Sequence, residues 1–243
     1  MQQKTYNLAA RDALLRALTR TDPVDVLPGV LAGRRVEHVL DVGCGVGKGL
    51  LPYVRGGKAV GVGVDVSAIG LDMGRDCYSA HLPDAKVMFL LAQAEALPLR
   101  AEFFDVIICA LVLPYTDNAL ALGEMARVLR SDGLLFLKVQ HARYYHRKFW
   151  RALATLKFSS VLHAGRALVA GSIYAVTGRQ PKSHLLSECF QTRWLLRREL
   201  AKHGLAIERE QPGSNPYAPS YVIARRHGAG RPSPGLFSTE SRP

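Results

Sequence analysis

Three glycines at alternate positions, Gly43, Gly45 and Gly47, close a stretch that begins with the apolar run Val39-Leu40-Asp41-Val42. Such a run fits a parallel strand covered on both faces, and residues without a Cβ let the following loop turn tightly and bring its backbone against a ligand. The pattern suits a nucleoside. A phosphate loop of the Gly-x-x-x-x-Gly-Lys-Ser/Thr kind would need glycine at Val42 and a hydroxyl at Gly49. A dinucleotide fingerprint, Gly-x-Gly-x-x-Gly, would need glycine where Lys48 stands. Asp41, just before the loop, points the same way, because its carboxylate attracts a cationic ligand group and repels a pyrophosphate.

The surrounding elements alternate between strand and helix. Ala59 to Asp65 reads as a second apolar strand, and its terminal acid lies 22 residues after Gly43, a placement that suits ribose hydroxyls. Val87 to Leu91 reads as a third strand, followed by Gln93-Ala94-Glu95-Ala96-Leu97-Pro98, and Phe104 to Cys109 reads as a fourth. The segment Glu124-Met125-Ala126-Arg127-Val128-Leu129-Arg130-Ser131-Asp132-Gly133 leads into a fifth. A helix over Gln191 to His203, stopped by Gly204, and strands over Leu205 to Glu210 and Tyr221 to Arg226 complete seven strands. Ahead of the first strand, Asn7 to Thr19 carries Leu8, Leu14, Leu15 and Leu18 between charges. It reads as an amphipathic helix capped by Asn7, either covering the ligand site or packed on the sheet edge.

In this order and spacing, the motifs resemble those of the class I S-adenosylmethionine-dependent methyltransferases over roughly residues 36 to 140, and within them the small-molecule branch often labelled methyltransferase type 11. The resemblance implies an α/β fold: a Rossmann-like seven-stranded mixed sheet, mostly parallel with the last strand antiparallel, helices on both faces, and a helical insertion after strand five. It also implies S-adenosyl-L-methionine (SAM) as cofactor. Asp41 and the loop of Gly43, Cys44, Gly45 and Gly47 would hold the methionine moiety, Asp65 the ribose hydroxyls, and Val66 would lie beside the adenine. Gln93 departs from the family, whose members commonly place Asp there; its carbonyl accepts the same hydrogen bond from the adenine amino group, and the backbone of Ala94 can read a ring nitrogen. Cys109 and Leu111, at the end of strand four, would line the cavity beneath the sulfonium.

A chain of 243 residues with an ordinary apolar fraction suffices for one well-buried domain, expected over residues 1–228, with a tail over 229–243 whose Gly, Pro and Ser content predicts disorder. The four cysteines, Cys44, Cys77, Cys109 and Cys189, show no metal-ligand spacing and read as reduced thiols, so no metal is expected. Met1 to Tyr6 lacks the apolar core of a signal peptide or membrane anchor, which predicts a cytoplasmic protein.

Between strand five and the last helix, residues 133 to 187 contain no Asp or Glu but nine Lys or Arg and four His, a large part of the net charge of +12. Within this insertion, spanning 142–189, Tyr145, Phe149, Ala152, Leu153 and Leu156 share one helical face, and Arg147, Lys148 and Arg151 share the opposite one. A second helical segment, Val161 to Val176, aligns Val161, Leu162, Leu168, Val169, Ile173 and Val176, and its glycines, Gly165 and Gly171, permit close packing or bending. The insertion occupies the family's acceptor-cap position. A basic amphipathic helix over 143–157 can lie on an anionic membrane surface and serve a lipid acceptor; the same charges can attract an anionic soluble acceptor or nucleic acid, or simply be solvated. For nucleic acid, the amino-methylating branch places Asn, Asp or Ser and then Pro-Pro-aromatic after strand four. Here Ala110-Leu111-Val112-Leu113 stands there, which disfavours base N-methylation and leaves other RNA methylation open.

A methyl donor that is already activated asks the protein mainly for alignment in a dry pocket, with a base where the acceptor carries a proton. His141, directly after strand five, is the first candidate base, with Tyr115 and Tyr144 behind it. The sequence therefore predicts SAM-dependent O- or C-methylation of a small, amphipathic or lipid-like acceptor. Two other readings stand beside it: an RNA or protein methyltransferase docking through the basic insertion, and a non-catalytic methyltransferase-like interaction module.

Overall fold

The computed structural model describes residues 2–19, 31, 33–181, 188–213 and 218–226; the predicted tail over 229–243 lies outside them. Seven strands form one sheet in the order β3-β2-β1-β4-β5-β7-β6. They are β1 (His38–Val42), β2 (Val60–Asp65), β3 (Val87–Leu91), β4 (Phe104–Ala110), β5 (Leu129–Val139), β6 (Leu205–Gln211) and β7 (Ser220–Arg226). The first five are mutually parallel, and β7 runs antiparallel to both β5 and β6, as the resemblance implies. β1 and β4 lie at the sheet's centre, which is why both are nearly continuous buried runs without polar alternation. From β1 the chain builds outward to β2 and β3, and from β4 outward to β5. The carboxyl ends of β1 and β4 therefore flank the point where strand order reverses, the crevice in which open α/β sheets bind ligands.

Helices cover both faces. On one, α1 (Gln2–Thr19), α2 (Leu51–Val54) and α3 (Ala68–His81) pack Leu14, Leu51, Leu71 and Tyr78 on Val39, Val106, Ile108 and Phe136. On the other, α4 (Asn118–Val128) and α7 (Arg193–Lys202) pack Leu122, Met125, Leu196 and Leu200 on Leu40, Ile107, Leu135 and Val222. The first helix starts at Gln2, so Asn7 lies inside it and does not cap it as predicted. Leu14 is fully buried, and Arg55 donates to the carbonyls of Ala17 and Leu18, satisfying acceptors at that helix's end.

The insertion forms a helical hairpin of α5 (Ala142–Ala154) and α6 (Phe158–Thr177). On α5, Tyr145 and Ala152 are buried as the predicted apolar face requires, whereas Leu153, and Leu156 in the turn beyond the helix, are exposed. On α6 the inward face is made of small residues, Ala164, Ala167, Ala170 and Gly171, with Tyr174. Gly171 is required there, because a Cβ would collide with the ring of Phe190. The large apolar residues Phe158, Leu162, Val169, Ile173 and Val176 consequently point to solvent. No helix among the described residues is long and apolar enough to cross a membrane.

Candidate functional site

The glycine loop leaves β1 with Gly43, Gly45 and Gly47 at φ of 69°, 54° and 80°, a left-handed backbone that residues with a Cβ rarely adopt. The three differ in what surrounds them. A Cβ on Gly43 would collide with Val112, and one on Gly47 would lie 2.7 Å from the Phe89 ring, so these two are close-packed. One on Gly45 would meet nothing within 4 Å. The backbone at Gly45 thus opens onto free space at the carboxyl end of β1.

Asp65 holds the loop in that shape. Its Oδ2 accepts from the Gly45 amide at 2.7 Å and its Oδ1 from the Ser67 amide at 2.8 Å, which ties the end of β2 to both the glycine loop and the turn into α3. Each carboxylate oxygen keeps a further lone-pair site, so a diol can still be received. Beside it, Val66 is 71 % exposed and Leu91 is 62 % exposed, an uncovered apolar flank of the kind an aromatic base would occupy. The Ala92 amide donates to the Asp65 carbonyl, bringing exposed Gln93 and buried Ala94 alongside. That segment is pinned from behind: Glu124 accepts from the Leu97 amide, and Arg127 donates to Glu124 and to the carbonyls of Leu97 and Leu99. The Gln93 to Pro98 and Glu124 to Arg127 motifs, far apart in sequence, are therefore two halves of one clamp. Asp41 is buried at the loop's base, with Gly49 packed so closely that a Cβ there would lie 2.5 Å from its carboxylate.

Two predicted contacts change. Cys44 turns its thiol inward, against Gly63 and into the core, so only its backbone faces the loop; burial, reinforced by Asp41 and Asp65, pushes the thiol pKa well up. Cys109 is likewise core, its sulfur accepting from the amides of Val112 and Leu113, and its pKa is pushed up to about 12 chiefly by burial. It shapes the loop after β4 rather than lining a cavity. Leu111 does face outward, 38 % exposed, at φ 64°, a left-handed conformation unusual for a residue with a Cβ and fixed by its amide's bond to the Lys138 carbonyl.

The predicted bases also separate. His141 is tied at both ring nitrogens, Nδ1 to the Gln191 carbonyl at 3.2 Å and Nε2 to Ser220 Oγ at 2.7 Å. It fastens the end of β5 to the segments entering α7 and β7, and this replaces the expectation of a free general base. Tyr115, in the 3-10 turn Leu113–Tyr115 after β4, is 65 % exposed and donates its hydroxyl to Glu188 at 3.1 Å. Tyr144, near the start of α5, stacks edge-on against Tyr145, whose hydroxyl also donates to Glu188, at 2.7 Å. His163 Nε2 lies 2.9 Å from the other carboxylate oxygen. Burial and Glu188 together push the Tyr145 pKa well up, so this phenol stays protonated. Glu188 was not among the predicted site residues. Its signal is that it is the first acid after the acid-free stretch from 133 to 187. The end of the insertion is stitched onto the loop after β4 by the Cys189 amide on the Pro114 carbonyl and by Gln180 on Thr116 and Asn118. This brings Tyr115, Tyr145, His163 and Glu188 into one cluster.

Residues 40–137 match the model of the methyltransferase domain family, type 11. The malonyl-[acyl-carrier protein] O-methyltransferase of Salmonella typhimurium is 36 % identical over 131 residues, covering 54 % of this chain and 49 % of that protein. The ubiquinone/menaquinone biosynthesis C-methyltransferase UbiE of Proteus mirabilis is 35 % identical over 107 residues, 43 % of each chain. The chain thus spans about half the length of the curated relatives it matches. Among solved structures, the magnesium protoporphyrin IX methyltransferase of Synechocystis with bound S-adenosylhomocysteine superposes with a TM-score of 0.56 at 17 % identity, over 90 % of this chain and 84 % of that one. A SAM-dependent methyltransferase from Methanosarcina mazei gives 0.58 at 17 % identity, over 84 % of this chain and 99 % of that one. Sequence and fold agree: residues 40–137 match the methyltransferase domain model, and the sheet around them has the class I SAM-dependent methyltransferase fold.

Proposed function

We propose that the chain is a SAM-dependent methyltransferase acting at oxygen or carbon of a small, amphipathic acceptor. The observation that carries this is the left-handed glycine loop, held by Asp65 at the strand-order reversal, with Gly45 open to free space. The residues present fit the cofactor: Asp41 and the Gly43 to Gly47 backbone for the methionine end, Asp65 for the ribose, and Val66, Gln93 and Ala94 for the adenine. When bound, SAM supplies a methyl group already activated on a sulfonium. The chain's part is to orient the acceptor against it, with Leu111 and the turn of Leu113–Tyr115 as the adjoining wall. Where the acceptor carries a proton, Tyr115 would take it at its phenolic oxygen while passing its own to Glu188. Named relatives that methylate small molecules at oxygen or carbon support this substrate class. One domain over 1–228, with the insertion 142–189 as its cap, belongs to the same reading, supported by the continuous sheet and by the ties from Gln180 and Cys189 to the loop after β4.

A lipid-like acceptor met at an anionic membrane surface is supported by two features of the insertion. The outward stripe of α6 carries Phe158, Leu162, Val169, Ile173 and Val176, joined by exposed Trp150, and there is no acid from 133 to 187. The apolar contact thus falls on α6 and Trp150, not on the 143–157 helix alone. Calorimetric titration with SAM and S-adenosylhomocysteine is the first test: saturable micromolar binding is expected, and no binding to folded protein would overturn the enzyme reading. Flotation with vesicles of phosphatidylcholine and phosphatidylglycerol tests the surface. Salt-sensitive binding to RNA in place of vesicles would overturn the lipid reading.

A further inference from the structure

The basic face of α5 borders a concavity. Arg147, Lys148 and Arg151 line an open cavity of about 510 Å³, together with Lys157 and Ser160 from the start of α6 and Ala218, just before β7. None of the described residues that wall it is acidic. Four cations held around one concavity repel one another, and a bound anion offsets that repulsion. Thr155, Ser160 and Tyr144 add hydroxyls to the wall.

The turn that builds this cavity is itself unusual. α5 ends with the Leu156 amide on the Leu153 carbonyl and the Lys157 amide on the Ala152 carbonyl, a closure that normally places glycine in the left-handed position. Here Leu156 occupies it at φ 52°. The result swings the N-terminus of the 20-residue α6 to the mouth of the cationic face. That N-terminus carries Lys157 at its cap position and no side-chain cap hydrogen bond. A Ser, Asp or Asn would ordinarily satisfy amides there; a lysine cannot accept, and the helix dipole adds to the positive potential.

We propose that this cavity binds a phosphate ester carried by the methyl acceptor, a reading that rests on the methyltransferase assignment above. Phosphate fits better than carboxylate. A dianion with three acceptor oxygens matches two guanidiniums one helical turn apart and two ammoniums better than a carboxylate, which offers two oxygens and a single charge. The volume exceeds what a phosphate fills, leaving room for the organic body attached to it. Tyr144 connects the two regions: it lines the cavity, and its neighbour Tyr145, with ring centroids 5.1 Å apart, carries the hydrogen bond to Glu188 and so to the Tyr115 cluster.

The test is calorimetric titration of the full chain with glycerol 3-phosphate, alongside co-sedimentation with phosphatidylcholine vesicles containing phosphatidic acid. It compares wild type, Arg147→Gln/Arg151→Gln, and Arg166→Gln, the last changing a charge of the insertion that does not line the cavity. Saturable binding weakened at least tenfold in the double variant and unchanged in Arg166→Gln is expected. Binding to glycerol 3-phosphate would identify a soluble phosphate ester, and binding to phosphatidic acid vesicles alone a lipid headgroup; either upholds the phosphate site. Absence of both, or an equal loss in Arg166→Gln, overturns it. SAM titration of the same preparations keeps the two readings apart: variants that bind SAM normally are folded, and a wild type that binds phosphate but not SAM removes the methyltransferase reading alone.

Discussion

Replacing Asp65 by alanine tests the site at its most connected residue. In the folded chain its two oxygens accept from the amides of Gly45 and Ser67, at 2.7 and 2.8 Å, and the same carboxylate is assigned to the ribose hydroxyls. Hydrogen bonds to a charged group contribute about 1.5–3 kcal/mol, so losing the ribose acceptor should weaken SAM binding about 10- to 150-fold. The variant should also be less stable, by about 2 kcal/mol, because both amides lose a charged partner in a half-buried position that water refills only in part. Calorimetry with S-adenosylhomocysteine and thermal unfolding of the same preparation measure both effects. Asp65→Asn separates them: its one remaining acceptor oxygen can serve one amide, so stability should recover in part while the charged contact to the diol stays lost. A folded Asp65→Ala variant with unchanged affinity would refute the ribose assignment, and one with unchanged stability would refute the loop-holding role.

Gly45→Ala and Gly47→Ala should diverge: the first costs about 1 kcal/mol of left-handed strain but closes the open side of the loop and abolishes SAM binding, whereas the second also drives a Cβ into Phe89 and is the more destabilising by thermal melting. All four cysteines are buried with pKa values raised chiefly by burial, so the native protein should react with iodoacetamide at pH 7.5 far more slowly than the same chain in guanidinium, as mass spectrometry would show. Leu156→Gly relieves a left-handed residue whose side chain is 72 % exposed and should raise stability by about 0.5–1 kcal/mol; a lower melting temperature would show that the turn needs its leucine. Hydrogen bonding to Arg127 holds the Glu124 carboxyl below the usual carboxylate range. The stability it contributes is present above the unfolded carboxylate pKa near ~4.3 and is lost as pH falls through the lower folded value, so Glu124→Gln should flatten the acid limb of an unfolding curve.

The cofactor half of this protein was legible in order along the chain because its chemistry is local. A glycine needed for positive φ, an acid at a strand's end and an apolar strand covered on both faces each leave a mark within a few residues. That is why the left-handed glycines Gly43, Gly45 and Gly47 and the strand-end acid Asp65 were legible without coordinates, and why six of the seven strands lie within a residue or so of their predicted spans; the fifth, for which only a lead-in through Gly133 was marked, already begins at Leu129. Glu124 and Arg127 were also visible as a motif, but not that they clamp the Gln93 to Pro98 turn, since that contact joins segments 27 to 30 residues apart.

What the sequence could not supply was the orientation of side chains whose partners are distant. Cys44 and Cys109 sit in the right segments, yet both thiols turn into the core. His141 occupies a promising position after β5, yet Gln191 and Ser220, 50 and 79 residues away, claim its two nitrogens. On α6 the periodicity was plain, but which stripe faces inward depended on how near Phe190 approaches, and close approach selected the alanines and Gly171 over the larger residues. Sequence alone determined the left-handed glycine loop proposed to receive a nucleoside, because backbone conformation is a property of neighbouring residues. Only the tertiary structure decided that the basic helix lines a cavity and that Glu188 joins two tyrosines, because both require segments separated along the chain to meet in space.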